Sequence, residues 1–218
     1  MIVKELGACQ FQNTHMHAAH SAEERIATTL RHAFEDAGNV FVFNDLRLDC
    51  GGEAVEIDHL VLHRFGFIVI DSRSIHDSVE IDAVGQWNCF CDGAPRGISS
   101  PVGLGRARLD FLRKYLSHHT LSIFGRLFGL QADLAGRAYD LIVAVPDEGR
   151  VKSYGDAALP AELCMAGQVA ERVRAIIDGY GGLRSVSYEG QPAFWVKDME
   201  SICRFLADHD QPFRMGVC

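Results

Sequence analysis

Two acids and a cation at short spacing are the residues in this sequence best suited to chemistry. Asp71 closes the apolar run Phe67-Ile68-Val69-Ile70, and Arg73 follows two positions on. In an extended strand that spacing sends both side chains from one face. Asp58 lies in the preceding run, Val55-Glu56-Ile57-Asp58-His59-Leu60-Val61-Leu62-His63, and a short turn at Arg64-Phe65-Gly66 sets the two runs side by side. Asp58 and Asp71 are therefore expected near one another at one end of a sheet. Glu23, on an upstream helix, is a third acid that can join them. Neighbouring carboxylates repel, and a divalent cation relieves the repulsion. Hard oxygen ligands of this kind suit Mg²⁺ or Mn²⁺. Such an ion activates water and stabilises charge on a phosphodiester. A cation two residues along orients the water or holds the phosphate. Strand-end Asp and Arg also occur as plain solvated or ion-paired groups, so the spacing by itself leaves both readings open.

The elements that must position these residues read as follows. Ser21-Ala22-Glu23-Glu24 has capping-box spacing and predicts a helix start, with Ile26, Ala27, Leu30, Ala33 and Phe34 at helical intervals and Gly38 as the stop. Val40–Phe43 with Leu46–Leu48 predicts a first strand, and Gly51-Gly52 a turn into the Val55–His63 strand. Phe67–Arg73 is apolar on both faces, as suits the centre of a sheet. A weaker strand pair is expected at Val79–Ile81 and Gln86–Phe90. Ser99-Ser100-Pro101 starts a helix through Leu116, with Pro101 in its first turn. Residues 117–138 look less regular. Tyr139–Val145 is another buried strand, Ala166–Tyr180 a helix, and Asp198 caps a last helix through Asp208. The alternation predicts an α/β domain, a mixed central sheet flanked by helices. Residues 1–20 read as an irregular N-terminal segment, 21–146 as the core, and 147–218 as a helical extension packed on the same domain.

Bulk properties limit the partners. A net charge of −8 gives no overall attraction to nucleic acid, so any such contact needs a local basic patch. Arg106, Arg113 and Lys114 are roughly aligned on the 101–116 helix, with Arg108 between them, and form the best candidate surface for a nucleic-acid backbone. A solvated amphipathic helix also accounts for them, and is the simpler reading. The seven cysteines are odd in number and scattered, the N-terminus lacks a signal-peptide core, and no apolar run approaches a membrane span. These features predict free thiols, a cytoplasmic setting and no membrane partner. His15, His17 and His20 could hold a metal or form a surface cluster. Cys89 and Cys91 share a strand face, but two thiols do not complete a zinc site.

The ordered set of segments resembles the NERD, or nuclease-related, domain of the PD-(D/E)xK superfamily. The matching residues are Ala22-Glu23-Glu24-Arg25-Ile26, Val42-Phe43-Asn44-Asp45-Leu46, Glu56-Ile57-Asp58-His59-Leu60-Val61, Gly66–Arg73, Trp87 and Ser100-Pro101-Val102-Gly103-Leu104. The resemblance covers about residues 21–116 and implies a restriction-endonuclease-like core. By position it makes Glu23, Asp58 and Asp71 metal-associated acids, with Glu24 as second choice for the helix acid. It makes the Ser72 carbonyl a further ligand. It also puts Arg73 at the catalytic lysine position and Mg²⁺ or Mn²⁺ as the cofactor. Asp71 stands where the family has glutamate, a change of one methylene. Arg73 stays protonated and cannot act as a base. Leu104 stands where the family has glutamine. Two functions follow from the resemblance: a Mg-dependent endonuclease acting on DNA, or a catalytically degenerate module that binds nucleic acid or protein. A weaker third reading is an assembly subunit whose thiols respond to redox state.

Overall fold

Gly51 and Gly52 both have positive φ, 65° and 93°, the backbone that a two-residue hairpin turn requires. They join β2 (Val40–Cys50) to β3 (Glu53–His63), which pair antiparallel from Val40↔His63 to Cys50↔Glu53. The computed structural model describes residues 1–7, 14–74, 78–91, 94–125, 134–147, 150–153, 158–181, 187–188 and 191–211. The side chains of His15 and Cys91, and the whole of Cys9 and Cys218, lie outside the described residues, so the metal readings that used His15 and Cys91 fall there too.

The hairpin sits inside a mixed six-stranded sheet. Short β1 (Ile2–Lys4) runs parallel to β2 at one edge. β4 (Gly66–Ser72) pairs antiparallel with β3 and parallel with β8 (Ala138–Val145). β10 (Leu163–Met165) adds in parallel outside β8, giving the order β1-β2-β3-β4-β8-β10. A second sheet, ordered β7-β6-β5-β9, is made by β5 (Ser78–Ile81), β6 (Trp87–Cys91), β7 (Ala94–Ile98) and β9 (Arg150–Ser153). The expected strand pair at 79–81 and 86–90 is the β5–β6 ladder.

Both faces of the main sheet are covered, which explains why β4 is apolar throughout. On one face Phe67, Val69, Leu60 and Val143 meet α2 (Pro101–His118), α3 (Thr120–Phe124) and α5 (Val196–Asp208). Val79, Ile81 and Trp87 of the second sheet join the same core. On the other face Val61, Ile68, Ile70 and Ile142 pack on Ile26, Leu30 and Phe34 of α1 (Thr14–Phe34) and on Val169 and Val173 of α4 (Val169–Gly181). The molecule is therefore α/β, with a mixed sheet between helical layers. No helix among the described residues is long and apolar enough to cross a membrane.

Several elements differ from the sequence-based expectation. α1 begins at Thr14, two turns before Ser21. Ser21 is inside the helix, its hydroxyl 3.4 Å from His17 Nδ1. Residues 14–20 contain two alanines and neither Gly nor Pro, so nothing stops the helix from extending back through them. The first twenty residues also supply β1, anchored where the N-terminal ammonium donates to the Val40 carbonyl at 2.7 Å. Thr120–Phe124 of the less regular stretch is helical. α5 starts at Val196 rather than Asp198. Asp198 sits in its first turn and accepts from the Trp195 amide at 3.0 Å. After residue 146 the chain supplies β9 and β10 as well as helices, because the open edges of both sheets offer unpaired backbone groups.

Candidate functional site

The hairpin register places the acids. His59 pairs with Ile70, so one step outward along the ladder Asp58 and Asp71 come opposite each other. Asp58 Oδ2 accepts the Ser72 amide at 2.7 Å, which holds the β3 acid against the end of β4. The strand is also kinked here. Phe43 and Leu60 face the α2 core, and so do Leu46 and Ile57, three positions further along their strands. A regular strand reverses faces over three positions. The reversal is absorbed at Asp45, the one described non-glycine residue with positive φ (53°), in the step that holds Asp58. Such irregularities re-aim a side chain.

Asp71 is 1 % exposed and is held by two guanidiniums. Arg73, on the same strand face as expected, donates from Nε to Asp71 Oδ2 at 2.9 Å and also from Nη2. Arg108 donates from Nη1 to the other oxygen, Oδ1. Arg108 arrives on α2, whose start is fixed by Pro101 in the first turn and by Ser100 Oγ accepting from the Gly103 amide at 3.1 Å. Gly105 lets the helix approach the sheet closely: a Cβ there would lie 2.8 Å from Leu141 Cδ1. Three residues further along, Arg108 reaches Asp71. The sequence placed Arg108 on the helix but gave no sign of this contact, since a helix-to-strand distance is not written in local spacing.

Glu23 comes to the same region from α1. Burial, then the Asp58 carboxylate, push its pKa up to about 8. Burial, then the Asp71 carboxylate, push Asp58 up to about 6, against the pull of the Ser72 amide, Arg108 and Arg73. Asp58 loses its proton first, so Glu23 titrates beside a charged Asp58 while Asp58 titrates beside a neutral Glu23. Glu24 is exposed, and its carbonyl accepts from Thr28 Oγ1 at 2.8 Å. Of the two helix acids, Glu23 is the one that feels Asp58.

A second group behind the acids was not foreseen. His59 is fully buried, and burial lowers its pKa to about 3, so it is neutral. Its Nδ1–H donates to Asn44 Oδ1 at 2.8 Å, which leaves Nε2 to accept the Ser72 hydroxyl at 3.1 Å. Asn44 Nδ2 in turn donates to the Lys4 carbonyl at 3.1 Å. The chain of bonds crosses β1, β2, β3 and β4 and fixes Ser72 from below. Its one sequence signal was the histidine after Asp58.

The basic helix is less uniform than its sequence suggests. Arg106 is paired with Glu162, Arg113 lies partly buried over the Tyr139 ring at 4.8 Å, and Lys114 is exposed.

Hard oxygen donors from Asp58, Asp71 and Glu23 are the right chemistry for Mg²⁺ or Mn²⁺. The arrangement fits less well than the donors. Both Asp71 oxygens are engaged by arginine, and among the described residues no three His, Cys, Asp or Glu side chains are grouped to hold a metal ion. A cation would need one guanidinium to leave Asp71.

The family model described as the nuclease-related domain, NERD, matches residues 18–129, just over half of the 218. The chain belongs to the nuclease-related domain family. No curated protein and no solved structure matches it. The match contains Glu23, the β2–β3–β4 strands that carry Asp58 and Asp71, and all of α2 with Arg108. The nuclease-related domain thus includes every charged group of the candidate site.

Proposed function

We propose that this nuclease-related protein is a Mg²⁺- or Mn²⁺-dependent endonuclease that hydrolyses DNA phosphodiesters at the Asp58–Asp71 end of the sheet. The observation that carries the reading is the convergence there of the half-buried Asp58 of β3 and the buried Asp71 of β4, with two guanidiniums on the second carboxylate. Asp58, Asp71, Glu23 and the Ser72 carbonyl would hold the ion. Bound there, once a guanidinium has left Asp71, the ion would supply an activated water and offset charge on the phosphate. The Ser72 amide and the Asn44–His59 pair keep Asp58 and the strand end in place. Arg73 cannot take a proton, and its role is to stabilise the extra negative charge of the phosphorane-like transition state. Arg106 and Lys114, exposed on α2, with the half-buried Arg113 beside them, would meet the DNA backbone and offset the acidic surface elsewhere. Cys50 and Cys203 are free thiols, which fits a reducing cytoplasmic setting. The test is Mg²⁺- or Mn²⁺-dependent cleavage of plasmid DNA, lost in Asp58→Ala and Asp71→Ala. Cleavage that survives both substitutions sinks the assignment.

One observation favours a second reading. Asp71 already has arginine partners on both oxygens, as a site that has traded its cation for fixed positive charge would have. On that reading the fold persists as a binding module without catalysis. It predicts no cleavage by the natural sequence with any divalent ion. It also predicts that Arg73→Lys, which frees a site for a proton-transferring amine, raises metal-dependent cleavage.

A further inference from the structure

Arg73 and Arg108 each spend only part of their hydrogen-bonding capacity on Asp71. Arg73 gives Nε and Nη2 to Oδ2, which leaves Nη1. Arg108 gives Nη1 to Oδ1, which leaves Nε and Nη2. None of these remaining donors has a partner among the described residues, and none is sealed from water. The two side chains are 26 % and 27 % exposed, whereas Asp71 is 1 % exposed. The carboxylate therefore lies behind, and the guanidinium edges lie in front of it. Asp71 balances one of the two positive charges. Asp58 faces both guanidiniums, but among the described residues it makes no hydrogen bond to either, and its Oδ2 is committed to the Ser72 amide. Both arginines are also fixed at the backbone. The Arg73 amide donates to the Ala144 carbonyl at 2.9 Å, and Arg108 rides on α2, which Gly105 sets against Leu141.

We infer that Arg73 and Arg108 together form a phosphate-binding clamp that works without a metal ion, with Asp71 as the buried brace that holds both guanidinium forks. Phosphate suits the clamp because guanidinium is planar, permanently charged and matched in pairs of N–H groups to phosphate oxygens. Two like charges on one carboxylate repel, and an anion in front of them relieves the excess positive charge. The forks are already held, so little side-chain freedom is lost when the anion arrives. Both arginines stay on Asp71, and both contribute. The inference rests on the second reading above, which it deepens by naming phosphate as what the module binds. The phosphate belongs either to an internal phosphodiester or to the end of a nucleic-acid strand, and the chemistry at the two forks is the same for both.

The experiment is calorimetric titration of the full chain with inorganic phosphate in excess EDTA, with chloride at matched ionic strength as the blank. Arg73→Gln and Arg108→Gln each remove one fork. Arg73→Lys and Arg108→Lys keep a charge opposite Asp71 and remove only the fork, in case a glutamine form folds poorly by circular dichroism. Phosphate binding should weaken at least about tenfold in each glutamine variant and at least about threefold in each lysine variant, the scale of losing a charge-assisted pair. Lys197→Gln, which removes an exposed charge on α5, should change it less than about twofold. A purely structural arginine would lower stability without moving phosphate affinity in the folded variants. A short single strand with hydroxyl ends and the same strand with a 5′-phosphate tell the sources apart. Equal binding of the two assigns the internal phosphodiester, and binding that needs the 5′-phosphate assigns the strand end. No phosphate binding by the natural sequence, or affinity unchanged in the folded variants of both arginines, overturns the inference. Mg²⁺-dependent cleavage by the natural sequence removes the second reading, and phosphate binding that persists in EDTA then leaves the clamp standing.

Discussion

The Ser72 amide donates to Asp58 Oδ2 at 2.7 Å, and the Ser72 hydroxyl donates to His59 Nε2 at 3.1 Å. One residue at the end of β4 is thus tied to two neighbouring residues of β3. The acid of the site and the buried histidine behind it are held by the same peptide unit.

Asp58 is charged at a cost. Its folded pKa of about 6 lies above the ordinary carboxylate value, so the folded state binds the proton more tightly than the unfolded state between the two values. Stability from this group is highest below the unfolded pKa and falls as pH rises through about 6. At pH 7 the penalty reaches up to about 3 kcal/mol. Asp58→Asn keeps an oxygen for the Ser72 amide and removes the charge. It should be more stable than the natural sequence at pH 7 in urea melts, while losing metal-dependent cleavage. A less stable variant would remove the repulsion argument.

The Asn44–His59–Ser72 chain predicts coupling. His59→Leu leaves Asn44 Oδ1 and the Ser72 hydroxyl without their buried partner, at about 1–3 kcal/mol. Asn44→Ala should cost a similar amount. The double variant should lose at least about 0.5 kcal/mol less than the sum, since both break one network. Strict additivity in urea denaturation would show that the bonds act separately.

His63 sets an acid limb of the stability curve. It is fully buried, stacked 5.8 Å from Tyr180, and burial lowers its pKa to about 4. The unfolded chain takes up this proton near the ordinary histidine value, while the folded chain refuses it until about pH 4. Its contribution is whole above about pH 6.5 and is lost as pH falls through that window, by up to about 3 kcal/mol. His63→Gln should flatten the pH dependence of unfolding between about pH 6.5 and 4. An unchanged slope there counts against a neutral, buried His63.

Gly66 opens β4 where it pairs with Ala138, and a Cβ there would overlap the Ala138 backbone carbonyl. Backbone cannot swing aside as a side chain can. Gly66→Ala should therefore destabilise by more than about 3 kcal/mol, or prevent folding. Gly38 meets nothing within 4 Å, so Gly38→Ala serves as a near-neutral control in the same melts. Equal stability of the two variants would mean that β4 and β8 are not so closely apposed.

The sequence by itself determined the order of the strands around the site and the side-by-side placement of Asp58 and Asp71. It could do so because a tight hairpin fixes register from local residues alone: Gly51-Gly52 on one side and Arg64-Phe65-Gly66 on the other. Apolar content on both faces of Phe67–Ile70 likewise announced a central strand. The start of α1 was misplaced because a capping-box pattern does not end a helix whose preceding residues continue it. Only the tertiary structure decided which charges meet at Asp71. Arg73 could be assigned to its face by counting two residues, but Arg108 reaches Asp71 through the packing of α2 on β8 at Gly105, a distance set between elements far apart in the chain. The same holds for Glu23 and for the bonds from Lys4 to Ser72. Local spacing encodes which way a side chain leaves its own element, and packing alone decides what it finds there.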